Sequence, residues 1–471
     1  MKRSTIILLG LLLPFLLLSA ADKEGQAAQK GALTSDLIAR LEASIPQDAA
    51  FRSLADALRN RPFHEVFANP EVLQNHDNHY THEIKTGTVT DQKGTGRCWM
   101  YAALNTIRPY VVRRLDMPDF EFSTAYLFFY DKLEKANAFL ERAMDRADRK
   151  LRDIEWLKTL AAPVDDGGYW QNCVDLVEKY GVAPMAAMPE SASTKSSREM
   201  NRALTWILRH HALKLREMKL TGMAADELGE RKMAALLQVY RILVMHLGEP
   251  VRSFPFRYRR KNPKTKQKVW TEFAEFTPKS FMQRFVAPDL ERFVMVANWP
   301  ARPMYRYFQW EDSNNVRGGR RLDFINLPLE EIKAMMVASI QDNTPVNFSA
   351  DVGKQLDNQH GIMHADLYPY SRVYGVHFPD EKETNTLLRN INSTHAMVIM
   401  GVDLVKGKPL KWKVENSWGT DRGHKGYYAM YDNWFDRYVV RVVVDRKYVP
   451  EKVLALLNSQ PQVIPFTEPE Q

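Results

Sequence analysis

The chain has 471 residues, 45% hydrophobic and 26% charged, with ten Trp and a formal net charge of +8. These values fit a globular protein with a sizeable core, either one large decorated domain or two to three smaller ones, and the sequence shows no long low-complexity tract and no internal repeat. Two cysteines are too few for a disulfide scaffold, and so mild a positive charge does not by itself establish nucleic-acid binding.

In chain order, Lys2 and Arg3 precede an apolar run from Ile6 to Leu18, followed by the small residues Ser19-Ala20-Ala21. This pattern predicts a secretory signal peptide, residues 1–21, cleaved after Ala21, and so an exported protein, periplasmic or secreted. The run is short for a membrane span, although retention as an anchor is the alternative. Cleavage removes Lys2 and Arg3, so the charge of +8 falls to +6. Residues 22–471 are then the mature chain. His76, His79 and His82, and later His360 and His364, are spaced so that each set could offer two metal ligands from one helix face. Neither has the third ligand and carboxylate of a zinc-peptidase pattern, and no metal is expected.

The stretch DQKGTGRCWMYAALN (91–105) places Cys98 after Gly94 and Gly96, at the start of an apolar, helix-forming segment. Unpaired N–H groups at a helix N-terminus favour a thiolate, which is the reactive form of cysteine. Pro109 predicts that this helix kinks or ends early. Cys173, in WQNCVDLVEKYG, reads as a core residue of an amphipathic helix. The run RYRRKNPKTKQK (257–268) holds seven basic residues. It reads as a solvated hairpin, with nucleic-acid binding as the weaker alternative.

A nucleophilic thiolate needs a base, usually a histidine held by Asn or Asp. His395 opens an apolar run that reads as a buried strand. In LKWKVENSWG (410–419), Leu410, Trp412 and Val414 alternate with Lys411, Lys413 and Glu415, which predicts a half-buried strand ending at Asn416. Adjacent strands would set the Asn416 carbonyl against the His395 imidazole. Gln92, six residues before Cys98, could join the Cys98 backbone N–H in an oxyanion hole.

The order Gln-x5-Cys-Trp, then His, then Asn-Ser-Trp-Gly resembles the papain-like cysteine peptidases, and within them the bleomycin hydrolase and aminopeptidase C branch. Further matching segments are DGGYWQNCVDLVEKYGVAPMAAMPES (166–191), THAMVIMGVD (394–403) and GYYAMYDNWFDRYVVRVVVDRKYVPEKVL (426–454). His395 follows Cys98 by 297 residues, against about 130 to 150 in papain, so a long insertion, about 140–340, is expected. The resemblance implies an α+β, papain-like two-lobed fold with large insertions. In it Cys98 is the nucleophile, His395 the base and then acid, Asn416 the orienting group and Gln92 the oxyanion donor. Trp99 and Trp418 support the site, and Trp418 shields the His395–Asn416 hydrogen bond. It also implies peptide substrates, no cofactor, a homohexamer, and a C-terminal tail (458–471) whose terminal carboxylate, here that of Gln471, pairs with the substrate's free amino group. The tail is shorter than is typical of the branch, which leaves endopeptidase or dipeptide-releasing action as alternatives to aminopeptidase action. A basic nucleic-acid-binding protein with a relic site is the reading from another class. Family members are typically cytosolic, so the predicted export is a departure.

Overall fold

The structure, a computed structural model, describes residues 31–468 apart from 262–264, 266, 287 and 288. The predicted signal segment, Glu470 and Gln471 lie outside the described residues. The chain divides into two compact units, one up to Phe67 and one from Ala68 onwards. The first holds helices α1 (Ser35–Ala43) and α2 (Ala49–Asn60). Each starts at a polar cap: Thr34 Oγ1 accepts from the Leu37 N–H at 3.2 Å, and Asp48 Oδ1 from the Phe51 N–H at 2.9 Å.

The second unit joins a helical half to a sheet half. Its main helices are α3 (Cys98–Leu115), α4 (Thr124–Asp145), α5 (Trp170–Tyr180), α6 (Arg198–Leu220) and α7 (Ala225–Leu247). Leu104, Ile107 and Val111 of α3 pack with Phe128 of α4, Leu208 of α6 and Val239 of α7 in one core. Helix α3 continues unbroken past Pro109 to Leu115, so it does not end early there. A mid-helix proline costs about 3 kcal/mol, but Met100, Leu104, Ile107, Val111 and Leu115 are all buried, and that packing outweighs the lost hydrogen bond. Cys173 lies in the core on α5, and both cysteines are free thiols.

The sheet strands are β1 (Phe293–Ala297), β2 (Arg306–Trp310), β3 (Asp323–Asn326), β4 (Val346–Ala350), β5 (Ile362–Met363), β6 (His395–Val405), β7 (Lys408–Glu415), β8 (Tyr427–Tyr431), β9 (Val439–Asp445) and β10 (Gln462–Ile464). They run in the order Leu356–Asp357, β5, β8, β7, β6, β4, β9, β1, β3, β2, β10, with His82–Glu83 also paired to β6. Helix α8 (Leu329–Gln341) covers this sheet through Ile332, Met336 and Ile340. Stretch 140–340 thus supplies helices to one half and the strands β1–β3 to the other.

Strand β7 departs from the predicted alternation. Trp412 and Val414 are buried as expected, but so are Lys411 and Glu415, while Leu410 is 43% exposed. Both faces of the strand are covered, and the two buried charges have partners: Asp77 at 2.5 Å for Lys411 and Arg108 at 2.6 Å for Glu415. Neither histidine set lies on a helix: His76 and His79 are in a loop, and His360 is in a turn before β5. The basic run forms a hairpin, Arg259–Lys261 against Lys268–Trp270.

Candidate active site

Cys98 is the first residue of α3, so its sulfur sits where helical N–H groups are unpaired. The turn before it is locked from beneath. Arg97, wholly buried, forks onto Glu190 at 3.1 and 2.8 Å and reaches Thr124 Oγ1 at 3.0 Å. The Gly96 N–H donates to Asp166 Oδ2 at 3.0 Å. Asp166 also accepts from Lys132 and Asn201, each at 2.7 Å, and the Lys132 ammonium holds its carboxyl well below the usual carboxylate range. The Trp99 indole donates to the Asp166 carbonyl at 2.7 Å, and Gly168 lies so close that a Cβ there would sit 2.6 Å from the ring. Trp99 therefore supports the loop that forms one wall of the cleft.

The opposite wall comes from the sheet. His395 opens β6 opposite Ala350 of β4, and Asn416 follows the last residue of β7. The antiparallel β6–β7 pairing brings them together: His395 Nε2 lies 2.8 Å from Asn416 Oδ1. The Trp418 ring stacks on His395 at 4.7 Å between centroids, with the planes 26° apart. The same carbonyl accepts the Ser417 N–H at 2.7 Å, which fixes the Asn416 side chain. Gln92 reaches this turn from the other side. Its backbone N–H donates to the Ser417 carbonyl at 2.8 Å, and its Oε1 accepts from Ser417 Oγ at 2.6 Å. Gln92 Nε2 donates to the Thr95 carbonyl at 2.6 Å, which engages one of its two N–H groups.

Cys98, Trp99, Gly168, His395 and Ala396 line one cleft of about 480 Å³. Burial pushes the Cys98 thiol up, opposed by the N–H groups of Ala396, Trp99 and Cys98 itself. Burial pushes the His395 imidazole down to about 4, opposed by its bond to Asn416. Each group alone is thus held neutral. Because Asn416 Oδ1 is an acceptor, this contact favours the tautomer with the proton on Nε2 and leaves Nδ1 unprotonated.

The tail reaches the same cleft. Strand β10 pairs in parallel with β2, and Ile464 is buried. Phe466 lines the cleft, its N–H donating to Glu311 Oε2 at 3.0 Å and the Arg146 guanidinium lying 4.7 Å from its ring centre. Lys158 donates to the Thr467 carbonyl, and Arg302 pairs with Glu468. Gln471 lies outside the described residues.

Cys98, His395, Asn416, Gln92, Trp99 and Trp418 are therefore brought together. The sequence reading missed Asp166, the Arg97–Glu190 fork and the Arg108–Glu415 pair. The acidic residue before Gly167-Gly168 and the arginine wedged between Gly96 and Cys98 were the available signals, but their partners lie far away in the chain.

The profile of the Peptidase C1-like family matches residues 32–469. Aminopeptidase C of Lactobacillus helveticus is 34% identical over 421 residues, 89% of this chain and 93% of the relative. Bleomycin hydrolase of Homo sapiens is 34% identical over 452 residues, 93% of this chain and 98% of the relative. The crystal structure of PepW from Lactobacillus rhamnosis superposes with a TM-score of 0.88 at 34% identity, covering 93% of this chain and 98% of that one. With an α+β papain-like fold and these relatives, the chain belongs to the Peptidase C1-like family, in the group of aminopeptidase C and bleomycin hydrolase.

Proposed function

We propose that this chain is a cysteine-type aminopeptidase, with Cys98 as nucleophile, His395 as base and acid, Asn416 as orienting group and Gln92 as oxyanion donor. The observation that carries the reading is one cleft lined by Cys98 at a helix N-terminus, by His395 held through Asn416, and by Phe466 of the tail. His395 Nδ1 takes the Cys98 proton as the sulfur bonds to the substrate carbonyl carbon. The Cys98 N–H and the Gln92 amide meet the oxyanion. The C–N bond then breaks, and the imidazolium protonates the leaving amine. Water, deprotonated by His395, finally releases the acyl group from the thioester.

The position of the tail favours aminopeptidase over endopeptidase or dipeptide-releasing action. Phe466 lines the cleft, and the residues that follow it in the sequence include Glu468 and Glu470, the charge that would attract a substrate ammonium. Two fluorogenic peptides, identical except for an acetylated α-amino group, test this reading. The wild type is expected to cut only the free-amine peptide, and Cys98→Ala neither. Equal cleavage of both would overturn the aminopeptidase assignment, and full activity of Cys98→Ala would overturn the nucleophile. Export through residues 1–21 and assembly into a homohexamer are part of the same proposal. They are tested by N-terminal sequencing of the exported protein and by light-scattering mass.

A further inference from the structure

Arg108 and Glu415 form an ion pair at 2.6 Å with side chains 1% and 0% exposed. Arg108 belongs to α3, the helix that begins at Cys98, and Glu415 directly precedes Asn416. The pair also grips the segment between them. Arg108 Nη1 donates to the Thr88 carbonyl at 2.7 Å, and Thr86 Oγ1 donates to Glu415 Oε2 at 2.9 Å. The same segment is tied on to Gln92. Asn105 of α3 donates to Thr90 Oγ1 at 2.8 Å, the Gly419 N–H to the Thr90 carbonyl at 3.1 Å, and the Gln92 N–H to the Ser417 carbonyl at 2.8 Å. One buried contact thus meets the three pieces of chain that carry Cys98, Gln92 and Asn416.

A buried ion pair is a poor source of net stability, because desolvation of both charges offsets their attraction, and apolar replacements of both are often neutral. What it does supply is geometry: a forked guanidinium accepts few arrangements of its partners. Burial pushes the Glu415 carboxyl up, opposed by the Arg108 guanidinium beside it, and the 2.6 Å contact holds the two side chains in place. Neither group touches Cys98 or His395; the pair reaches them through the chain pieces it joins, α3, the segment leading to Gln92, and the strand end at Asn416.

We propose that Arg108 and Glu415 are positioning residues that set Asn416 and Gln92 in register with Cys98, and that their contribution is to turnover rather than to folding. This rests on the peptidase reading above. The test replaces both charges at once, Arg108→Met with Glu415→Leu, so that neither is left buried alone. A second variant, Glu415→Gln, keeps the shape if the double variant does not fold. Hydrolysis of the free-amine peptide is measured for each in wild-type and Asn416→Ala backgrounds, with thermal unfolding alongside. The expected result is kcat more than tenfold lower, KM within twofold, and a loss that shrinks on the Asn416→Ala background, as coupled sites require. Either kcat within twofold of wild type, or a loss carried over undiminished to the Asn416→Ala background, would overturn the proposal. A wild type that hydrolyses no peptide would instead sink the peptidase reading. The same cycle, read by iodoacetamide alkylation of Cys98 against pH, would then still decide whether the pair acts through Asn416.

Discussion

Asn416→Ala separates an orienting role from a catalytic one. In the structure Asn416 Oδ1 touches two groups, His395 Nε2 at 2.8 Å and the Ser417 N–H at 2.7 Å, and the Trp418 ring covers His395. When His395 takes the Cys98 proton, the first contact becomes a hydrogen bond to a charged ring, worth about 1.5–3 kcal/mol, so kcat should fall by roughly 10- to 150-fold. The second contact leaves a buried N–H without its acceptor, costing about 1–3 kcal/mol of stability. The bond to Asn416 raises the His395 pKa against burial. Its loss should therefore move the acid limb of kcat/KM to lower pH, even as the plateau drops. The assay is kcat and KM on the free-amine peptide between pH 3.5 and 8 (roughly the span around a group titrating near 4), with unfolding measured in urea. A folded variant with kcat within twofold of wild type, or an acid limb moved upward, would refute the reasoning.

Three further outcomes follow from the same geometry. Gly168→Ala should abolish most activity and destabilise by about 1–3 kcal/mol, because its Cβ would lie 2.6 Å from the Trp99 ring; a crystal structure and Tm of the variant check this, and an undisturbed Trp99 would contradict it. Lys132→Met should cost about 3–5 kcal/mol in urea unfolding, since Lys132 is wholly buried and bonds Asp166 Oδ1 and the Val164 and Asp165 carbonyls; a cost under about 1 kcal/mol would show that Asp166 does not depend on it. The imidazole of His395 titrates at about 4 in the fold against an ordinary 6.5, so below pH 6.5 the unfolded chain binds the proton first. This contribution, about 3 kcal/mol, is complete above pH 6.5 and is lost as pH falls towards 4. The stability of His395→Gln should accordingly fall less than that of wild type over this interval, and equal slopes would count against a neutral buried imidazole.

Much of the site was legible in the sequence because its chemistry is local. Glycines before Cys98, a helix-forming run after it, an apolar strand behind His395 and the turn after Asn416 each announce themselves within a few residues. Such signals specify residue types and element ends, and ordering them along the chain was enough to pair His395 with Asn416. Pairings between distant segments were not legible. Lys411 and Glu415 look like the solvent face of an alternating strand, and only the fold shows Asp77 and Arg108 covering them. Pro109 looks like a helix end, and only burial of the surrounding helix overrides it. The tail reads as a short acidic end, but its parallel pairing with β2 brings Phe466 to the cleft. The sequence by itself marked Cys98 and His395 as candidates, through local backbone preference and residue chemistry, and its motifs carried the family resemblance. The tertiary structure alone decided which buried charges meet, how Asp166 holds the turn before Cys98 and where Phe466 lies. Those depend on which surfaces lose water together, a property that no single segment carries.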